Sequence, residues 1–357
     1  GVVSTCSYEA RRFGVRSAMA SAEARRLCPQ AIWTHGHFDR YREVSAQVMA
    51  ILAEETPRVE RVSIDEAFID ITPGRFAPED PLLVARRISD RVAALGVTCS
   101  IGVGCNKTVA KIASERDKPF GLTIVRPGTE QRFLAALPVS AMSGIGRSAE
   151  ERLRRMRIYT LGELSRAPES TLASIFGVNG ERMRQRALGL EISEVTSLDE
   201  EREVKSVSNE RTFAKDLTER GDIEAAIALL GESVGRRLRR QGLTGGTVTL
   251  KLKYSYGSGR TAQRRLPHPT DDENIFVAVA LELLDNIWQE GMHVRLAGIG
   301  MSDFDHQGGI QTDLFCEVDD RGAQSSDRRD LSVAIDAVRD KFGDTALSFG
   351  RQSRFND

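Results

Sequence analysis

Apolar residues recur at intervals of three and four between Pro81 and Leu95. Leu82, Leu83, Ala85, Ile88, Val92 and Leu95 fall on one side of a helical wheel and predict an amphipathic helix. Val97 to Val103 is β-branched and short, which predicts a strand. Helical spacing returns from Lys107 to Arg116, and Leu122-Thr-Ile-Val reads as another strand. Upstream, a helix is expected over roughly Arg40 to Glu55, followed by two β-rich runs, Val59 to Ile64 and Ala67 to Ile71. The opening 37 residues form a small helical piece, in which Ser21 begins a helix that stops near Pro29. Helix and strand alternate over 38–126 around a hairpin, a pattern expected to give a sheet with helices on one face.

Short helices follow from about Arg126 to Leu190, and Glu191 to Val204 is a charged, aperiodic stretch that reads as a linker. Strands are then expected over Val207–Phe213, Thr247–Tyr256 and Leu296–Met301, with helices near Asp222–Arg240 and Asp272–Gln289. These form a separate α+β module. In the tail, Leu331, Ile335, Val338 and Phe342 fit one further amphipathic helix.

A length of 357 residues accommodates two to four domains. No apolar run approaches the roughly 18 residues that span a bilayer, and no signal peptide is visible, so a cytoplasmic, membrane-free protein is expected. Cys6, Cys28, Cys99, Cys105 and Cys316 include no C-x-x-C pair, which disfavours zinc and disulfide chemistry. His35 and His37 have no other ligand pair near them and read as surface residues. The net charge of −1 argues against nucleic acid until its distribution is considered. Ser233 to Thr270 holds no Asp or Glu, yet it carries Arg236, Arg237, Arg239, Arg240, Lys251, Lys253, Arg260, Arg264 and Arg265. Such a run is expected to contact DNA phosphates.

The chemistry concentrates at Ser63-Ile64-Asp65-Glu66-Ala67. Neighbouring side chains on a regular strand point to opposite faces, so Asp65 and Glu66 can serve one site only if the backbone turns between them. A hairpin tip between the two β-rich runs supplies that turn. Paired carboxylates suit Mg²⁺, which prefers oxygen ligands and shares them with substrate phosphates. Ser143-Gly144-Ile145-Gly146, with Ala149 and Leu153 after it, has the form of a helix-hairpin-helix whose backbone N–H groups can meet a DNA phosphate. Phe176-Gly177-Val178-Asn179-Gly180 is a degenerate second copy. Gly102 to Thr108 invites a P-loop reading, but the G-x-x-x-x-G-K-[ST] spacing is not met. Gln311-Thr312-Asp313-Leu314-Phe315 resembles the short bacterial sliding-clamp-binding peptide Gln-x-x-Leu-Phe.

Taken in order, three motifs make the chain resemble a Y-family DNA polymerase of the bacterial polymerase IV (DinB) type. They are Ser4-Thr-Cys-Ser-Tyr-Glu-Ala-Arg-Arg-Phe-Gly-Val15, Ser63-Ile-Asp-Glu-Ala67, and Lys111-Ile-Ala-Ser114 with Lys118-Pro-Phe-Gly121. The resemblance runs from Gly1 to about Phe315. It implies an α+β multidomain, right-hand polymerase fold. The fingers would be residues 1–37 (in part), the palm 38–126, and the helix-hairpin-helix thumb 127–190. A linker, 191–204, would lead to an α+β little finger, 205–303, and a tail, 304–357. It further implies error-prone, translesion, template-directed transfer of a deoxynucleotide to a primer 3′-OH with two Mg²⁺ ions. Asp65 and Glu66 would be the catalytic and metal-binding pair. Thr5, Tyr8, Arg11 and Lys118 would bind the dNTP. Gly144, Gly146, Lys205, Arg211, Lys251, Lys253, Arg264 and Arg265 would contact primer-template DNA, with Lys251-Leu252-Lys253 and Arg264-Arg265 as little-finger strands lying along the duplex backbone. Gln311, Leu314 and Phe315 would engage the sliding clamp, and the protein would be a monomer.

The family's Asp-x-Asp-aromatic motif, which supplies the first metal-binding aspartate and the residue that excludes ribonucleotides, precedes the Tyr8 motif. This sequence opens at Gly1, inside the fingers, and reads as truncated or misassigned at its start. An alternative expectation is a catalytically impaired DNA- and clamp-binding protein, should the chain natively begin there. A nuclease reading lacks further Asp, Glu or His ligands in a suitable place.

Overall fold

The computed structural model describes residues 1–75, 79–198, 200, 203–255, 257–304, 321–343 and 346–347, with backbone only over 321–330. It divides into two compact units, Gly1–Glu201 and Arg202–Asp357.

In the first unit, α1 (Tyr8–Arg12) and α2 (Ser21–Leu27) enclose a small core of Val3, Val15, Ala24 and Cys28. The long α3 (Phe38–Glu55) leads into β1 (Val59–Arg61) and β2 (Ala67–Ile69), which pair antiparallel with Glu60 opposite Phe68. Next comes α4 (Pro81–Ala94), where Pro81 sits in the first turn and the Asp80 carboxylate accepts a 2.8 Å bond from Leu82 N. That start satisfies backbone donors which have no partner inside the helix. Val84, Ile88 and Val92 of α4 pack with Ile51 of α3. Ala85, Ile88 and Val92 of the predicted stripe are buried, but Leu83 is exposed and Val84, outside the stripe, takes a core position instead. The Arg87 guanidinium forks onto Glu55 at the end of α3, with Nε to Oε1 at 2.9 Å, and also reaches Glu79 at 2.8 Å.

The expected single sheet is two separate ladders. β3 (Ile101–Val103), shorter than the predicted strand, pairs in parallel with β4 (Leu122–Ile124), apart from β1–β2. Between them, α5 (Lys107–Arg116) lies against β3 at backbone contact distance. A Cβ at Gly102 would stand 2.0 Å from the Ala110 carbonyl oxygen, and one at Gly104 would stand 2.6 Å from Val109 Cγ1. The glycines that suggested a phosphate loop are therefore packing residues. Four further helices follow: α6 (Glu130–Ala135), α7 (Arg147–Arg155), α8 (Leu161–Arg166) and α9 (Glu169–Phe176). With α10 (Gly180–Leu188) they enclose Leu134, Met142, Leu153, Leu161, Leu164 and Leu172, and α5 adds Val109, Ile112 and Ala113 to the same core.

The stretch expected as a linker is anchored on this unit at Glu191, Thr196 and Glu200. Glu191 accepts from Thr108 Oγ1 at 2.5 Å, Thr196 N donates to Glu60 at 3.2 Å, and Glu200 pairs with Arg58 at 2.8 Å.

The second unit comprises β5 (Ser206–Leu217), α11 (Arg220–Gln241), β6 (Gly245–Tyr254), β7 (Gly259–Thr270), α12 (Glu273–Ile287), β8 (Val294–Phe304) and α13 (Arg321–Phe342). Its strands form one antiparallel sheet in the order β5-β8-β6-β7. β7 escaped the hydropathy pattern because it is polar and contains Pro267 and Pro269. It lies at the sheet edge, where a proline need not donate to a neighbour. α11 and α12 cover one face, burying Val207, Phe213, Val248, Leu250, Leu252, Ile299 and Met301. The opposite face carries Ser206, Ser208, Glu210, Thr247, Thr249, Lys251, Lys253, Thr261, Gln263, Arg265, Gly298 and Gly300, alternating with the buried positions.

Candidate active site and nucleic-acid interface

Between β1 and β2 the backbone closes a five-residue loop, 62–66. The N–H groups of Val62 and Ser63 both donate to Glu66 O, at 2.9 and 3.1 Å. Ser45 Oγ holds Ile64 O at 2.5 Å, and Arg61 Nε holds Ser63 O at 3.2 Å, so the tip is fixed from α3 and from its own strand. The turn expected between the two carboxylates is present. Asp65 is exposed and accepts from Ser63 Oγ at 2.6 Å, while Glu66 is half-buried and ion-paired with Lys111.

Two lysines one turn apart bolt this hairpin to α5. Lys107 pairs with Glu60 of β1 and lies over the Phe68 ring of β2, its Nζ 5.9 Å from the centroid. Lys111 pairs with Glu66 and, at 3.1 Å, with Glu115 Oε1. Lys118, just past the helix, reaches the same Glu115 oxygen at 2.7 Å. An unbroken chain of charge thus runs Glu66–Lys111–Glu115–Lys118. Burial disfavours the charged form of Lys111, but hydrogen bonds to Glu66 and Glu115 outweigh it and hold the ammonium above its ordinary value. Burial likewise pushes Glu115 up, and the two lysines bring its carboxyl below the usual range. The sequence alone does not mark Lys111 and Glu115 as site residues. Their signal was the i, i+4 spacing of Lys111 and Glu115 on α5, with Lys118 following just past its end.

Among the described residues no group of three or more His, Cys, Asp or Glu side chains converges. The donor set at the hairpin tip is therefore two carboxylates. That suits Mg²⁺, which commonly takes one or two protein carboxylates and completes its octahedron with water and substrate phosphates.

Thr5 is exposed ahead of α1, whose start is capped by Ser7 Oγ accepting from Ala10 N at 3.3 Å. Tyr8 opens the helix with 46% of its surface exposed, and the Arg11 guanidinium lies 5.8 Å from its ring centroid. Among the described residues no hydrogen bond or ion pair joins Tyr8 or Arg11 to the Lys118 chain.

At the first glycine turn, Gly144 has φ +94°, where a side chain would be strained, and Gly146 caps α7. Arg186 of α10 secures this turn. Its Nη1 donates to Ser143 O at 2.8 Å, its Nη2 to Ser143 Oγ at 2.9 Å, and its Nε to Thr108 Oγ1 at 2.8 Å. Arg186 lies near Gly144, Phe176, Asn179, Arg182 and Met183 around a recess of about 300 Å³. The second glycine stretch forms the other wall, and Gly180 sits there because a Cβ would meet Leu172 and Ala173 at 3.0 Å. Arg186 is a residue that sequence reasoning missed, since nothing local distinguishes it from the other arginines of α10.

In the second unit the pleat divides the basic residues that sequence proximity had grouped. Lys251, Lys253 and Arg265 stand on the open face. Arg264 is on the helix-covered side and pairs with Glu282 of α12. Arg211 shares the register of Val207 and Phe213 and so also belongs to the covered side, at the edge strand. Lys251 is bound to Glu210 at 2.8 Å across Gly298, where any Cβ would stand 2.5 Å from Glu210 Cγ. Lys205, exposed, precedes β5.

The arginines of α11 are not a free basic face. Arg236 and Arg240 both pair with Asp340, Arg239 pairs with Glu273 and with Asp336 at 2.7 Å, and Arg339 pairs with Glu232. Four acids and four arginines seat α13 and α12 on α11. The 233–270 window looked purely basic because its partners lie outside it in sequence. Gln311, Leu314 and Phe315 lie outside the described residues. No helix among the described residues is long and apolar enough to cross a membrane.

Residues 1–115 match the model of the impB/mucB/samB family, and residues 204–314 match that family's C-terminal domain. The chain is 39% identical over 306 residues to the DNA polymerase IV of Lactococcus lactis subsp. cremoris, an alignment covering 85% of this chain and 83% of that one. It is 38% identical over 305 residues to the DNA polymerase IV of Streptococcus pneumoniae serotype 4, covering 85% and 86%. A solved Y-family DNA polymerase chimera superposes with a TM-score of 0.72 at 24% identity, covering 85% of this chain and 88% of that one. An insertion ternary complex of Dbh DNA polymerase superposes at 0.55, with the same identity and coverage.

Proposed function

Because the chain belongs to the impB/mucB/samB family of Y-family DNA polymerases, an α+β multidomain DNA-directed DNA polymerase of the translesion type, we propose that Asp65 and Glu66 hold its Mg²⁺ ions, two per active site. One observation carries this reading: both carboxylates stand on a fixed hairpin tip joined by ion pairs to Lys118. Magnesium held there would supply Lewis-acid catalysis of phosphoryl transfer to a primer 3′-OH. Asp65 is open to solvent and would reach the ion without displacing a protein cation. Glu66 contributes the second oxygen donor, from beside Lys111.

The dNTP triphosphate is held by Thr5, Tyr8, Arg11 and Lys118. Arg11 offers a bidentate fork and Lys118 a point charge against the departing pyrophosphate. Primer-template DNA contacts the Gly144–Gly146 turn through backbone N–H groups. On the little finger it contacts Lys205, Lys251, Lys253 and Arg265, which position the duplex without reading its sequence. Residues 1–37 act as fingers, 38–126 as palm, 127–190 as thumb and 205–303 as little finger. Gln311, Leu314 and Phe315 engage a sliding clamp, and the protein works as a cytoplasmic monomer.

Primer extension on a primed template with Mg²⁺ and dNTPs, beside Asp65→Asn, tests the assignment. Extension that the substitution abolishes is the expected outcome. Extension undiminished in Asp65→Asn would remove Asp65 from the chemistry.

A further inference from the structure

We propose that Lys111 is the resident counter-cation of the Asp65–Glu66 site, and that Glu115 is a positioning residue that takes Lys111 over when a divalent ion binds, freeing Lys118. The inference rests on the reading of Asp65 and Glu66 as metal ligands. An ammonium and a divalent ion both seek the oxygens of Glu66, and Lys111 holds one of them in direct ion pairing. It cannot remain there undisturbed once that oxygen ligates a metal. The nearest alternative acceptor is already in contact: Glu115 Oε1, 3.1 Å from Lys111 Nζ. Lys111 and Glu115 are one turn apart on α5, so the ammonium can shift from one carboxylate to the other by side-chain rotation, with no change in the helix.

The hairpin does not depend on Lys111 for its attachment. Lys107 binds Glu60 one turn earlier, and Ser45 fixes Ile64, so both anchors persist when Lys111 leaves Glu66. Lys118 feels the exchange. It shares Glu115 Oε1 with Lys111, and two ammonium groups on one oxygen repel each other. When Lys111 turns fully to Glu115, the hold on Lys118 weakens and its charge becomes available to a bound anion. A cation at the carboxylates and an anion at Lys118 therefore favour each other, which is the sense required for a metal–phosphate substrate.

Mn²⁺ titrations followed by electron paramagnetic resonance, on the whole chain without nucleotide or DNA, test this. The proteins are the parent, Asp65→Asn, Lys111→Met, Glu115→Gln and the double variant. Circular dichroism checks folding, and Lys111→Gln replaces Lys111→Met if the latter does not fold. Lys111→Met should tighten Mn²⁺ binding by about tenfold, within the usual range of site-to-site coupling. Glu115→Gln should weaken binding in the parent and have no effect once Lys111 is gone, since it acts through Lys111. Equal weakening by Glu115→Gln in both backgrounds would reduce Glu115 to a through-space charge and overturn the proposal, as would a Lys111→Met protein that binds no tighter. Mn²⁺ binding unchanged in Asp65→Asn would instead overturn the metal-site reading, and this inference with it. Asp65-dependent binding with an additive cycle would overturn this inference alone.

Discussion

Gly102 of β3 lies directly against Ala110 of α5, close enough that an added Cβ would stand 2.0 Å from the Ala110 carbonyl oxygen. Backbone cannot yield as a flexible side chain can, so α5 would have to lift, carrying Lys107 and Lys111 with it. Gly102→Ala should cost about 3 kcal/mol, the upper part of the overpacking range, read from urea midpoints. Gly146→Ala is the control, because nothing lies within 4 Å of its Cβ position. It should cost well under half as much.

The Glu55–Arg87 fork gives a pH-dependent contribution with a definite sign. Arg87 hydrogen bonds hold the Glu55 carboxyl below its ordinary value against the opposing effect of burial, and only 6% of the side chain is exposed. A carboxylate depressed in the folded state stabilises above its unfolded pKa of about 4.3, and loses that contribution as pH falls through the folded value. Glu55→Gln should therefore destabilise by about 1–3 kcal/mol at pH 7 and by progressively less below pH ~4. Urea unfolding of both proteins at pH 7, 5 and 3 checks it. A difference that does not shrink with acid would show the loss to be one of packing.

The long amphipathic helices and the hairpin tip were legible in the sequence because local spacing determines them. Ala85, Ile88 and Val92 of the predicted stripe lie on the buried face of α4, with Val84 in place of Leu83, and the Asp65–Glu66 turn lies between two strands as expected. What escaped was set by partners distant in sequence. β7 is polar and proline-bearing, so hydropathy passes over it, and only the family resemblance puts Arg264 and Arg265 on a strand. The acids that neutralise Arg236, Arg239 and Arg240 come from α12 and α13, so a window of sequence cannot show them. Arg264 and Arg265 are adjacent in the chain and face opposite ways, a separation fixed by register rather than by composition. Lys111 belongs to a recognisable sequence motif, yet its pairing with Glu66 depends on how α5 packs on the hairpin.

Cys105 is exposed as a residue, yet its thiol is pushed up to about 11. Burial of the sulfur is the largest cause, followed by its hydrogen bond and proximity to Glu130. Only the thiolate alkylates, so at pH 8 Cys105 should react with iodoacetamide about a hundredfold more slowly than a free cysteine of pKa ≈ 8.5. Peptide-level mass spectrometry over a time course measures this. Glu130→Ala should accelerate the reaction by removing one of the causes.

The two faces of the second unit make different predictions for neighbouring arginines. Arg265→Ala and Lys253→Ala should each weaken duplex DNA binding and reduce the slope of log K against log salt by about one. Arg264→Ala, on the covered side with Glu282, should leave that slope unchanged. Fluorescence anisotropy at several salt concentrations separates the outcomes. Equal slope changes for Arg264 and Arg265 would contradict the division by pleat.

Lys253 and Arg265 stand near opposite ends of the open face, since Arg265 pairs with Thr247 and Lys253 lies six positions further along the same strand. At about 3.3 Å per residue that is roughly 20 Å. The ground between them is close to neutral, because Lys251 is already answered by Glu210. A single cationic spot would pin a rod-like polyanion at one point and leave it free to swing. Two grips this far apart, with little between them to compete, fix its heading.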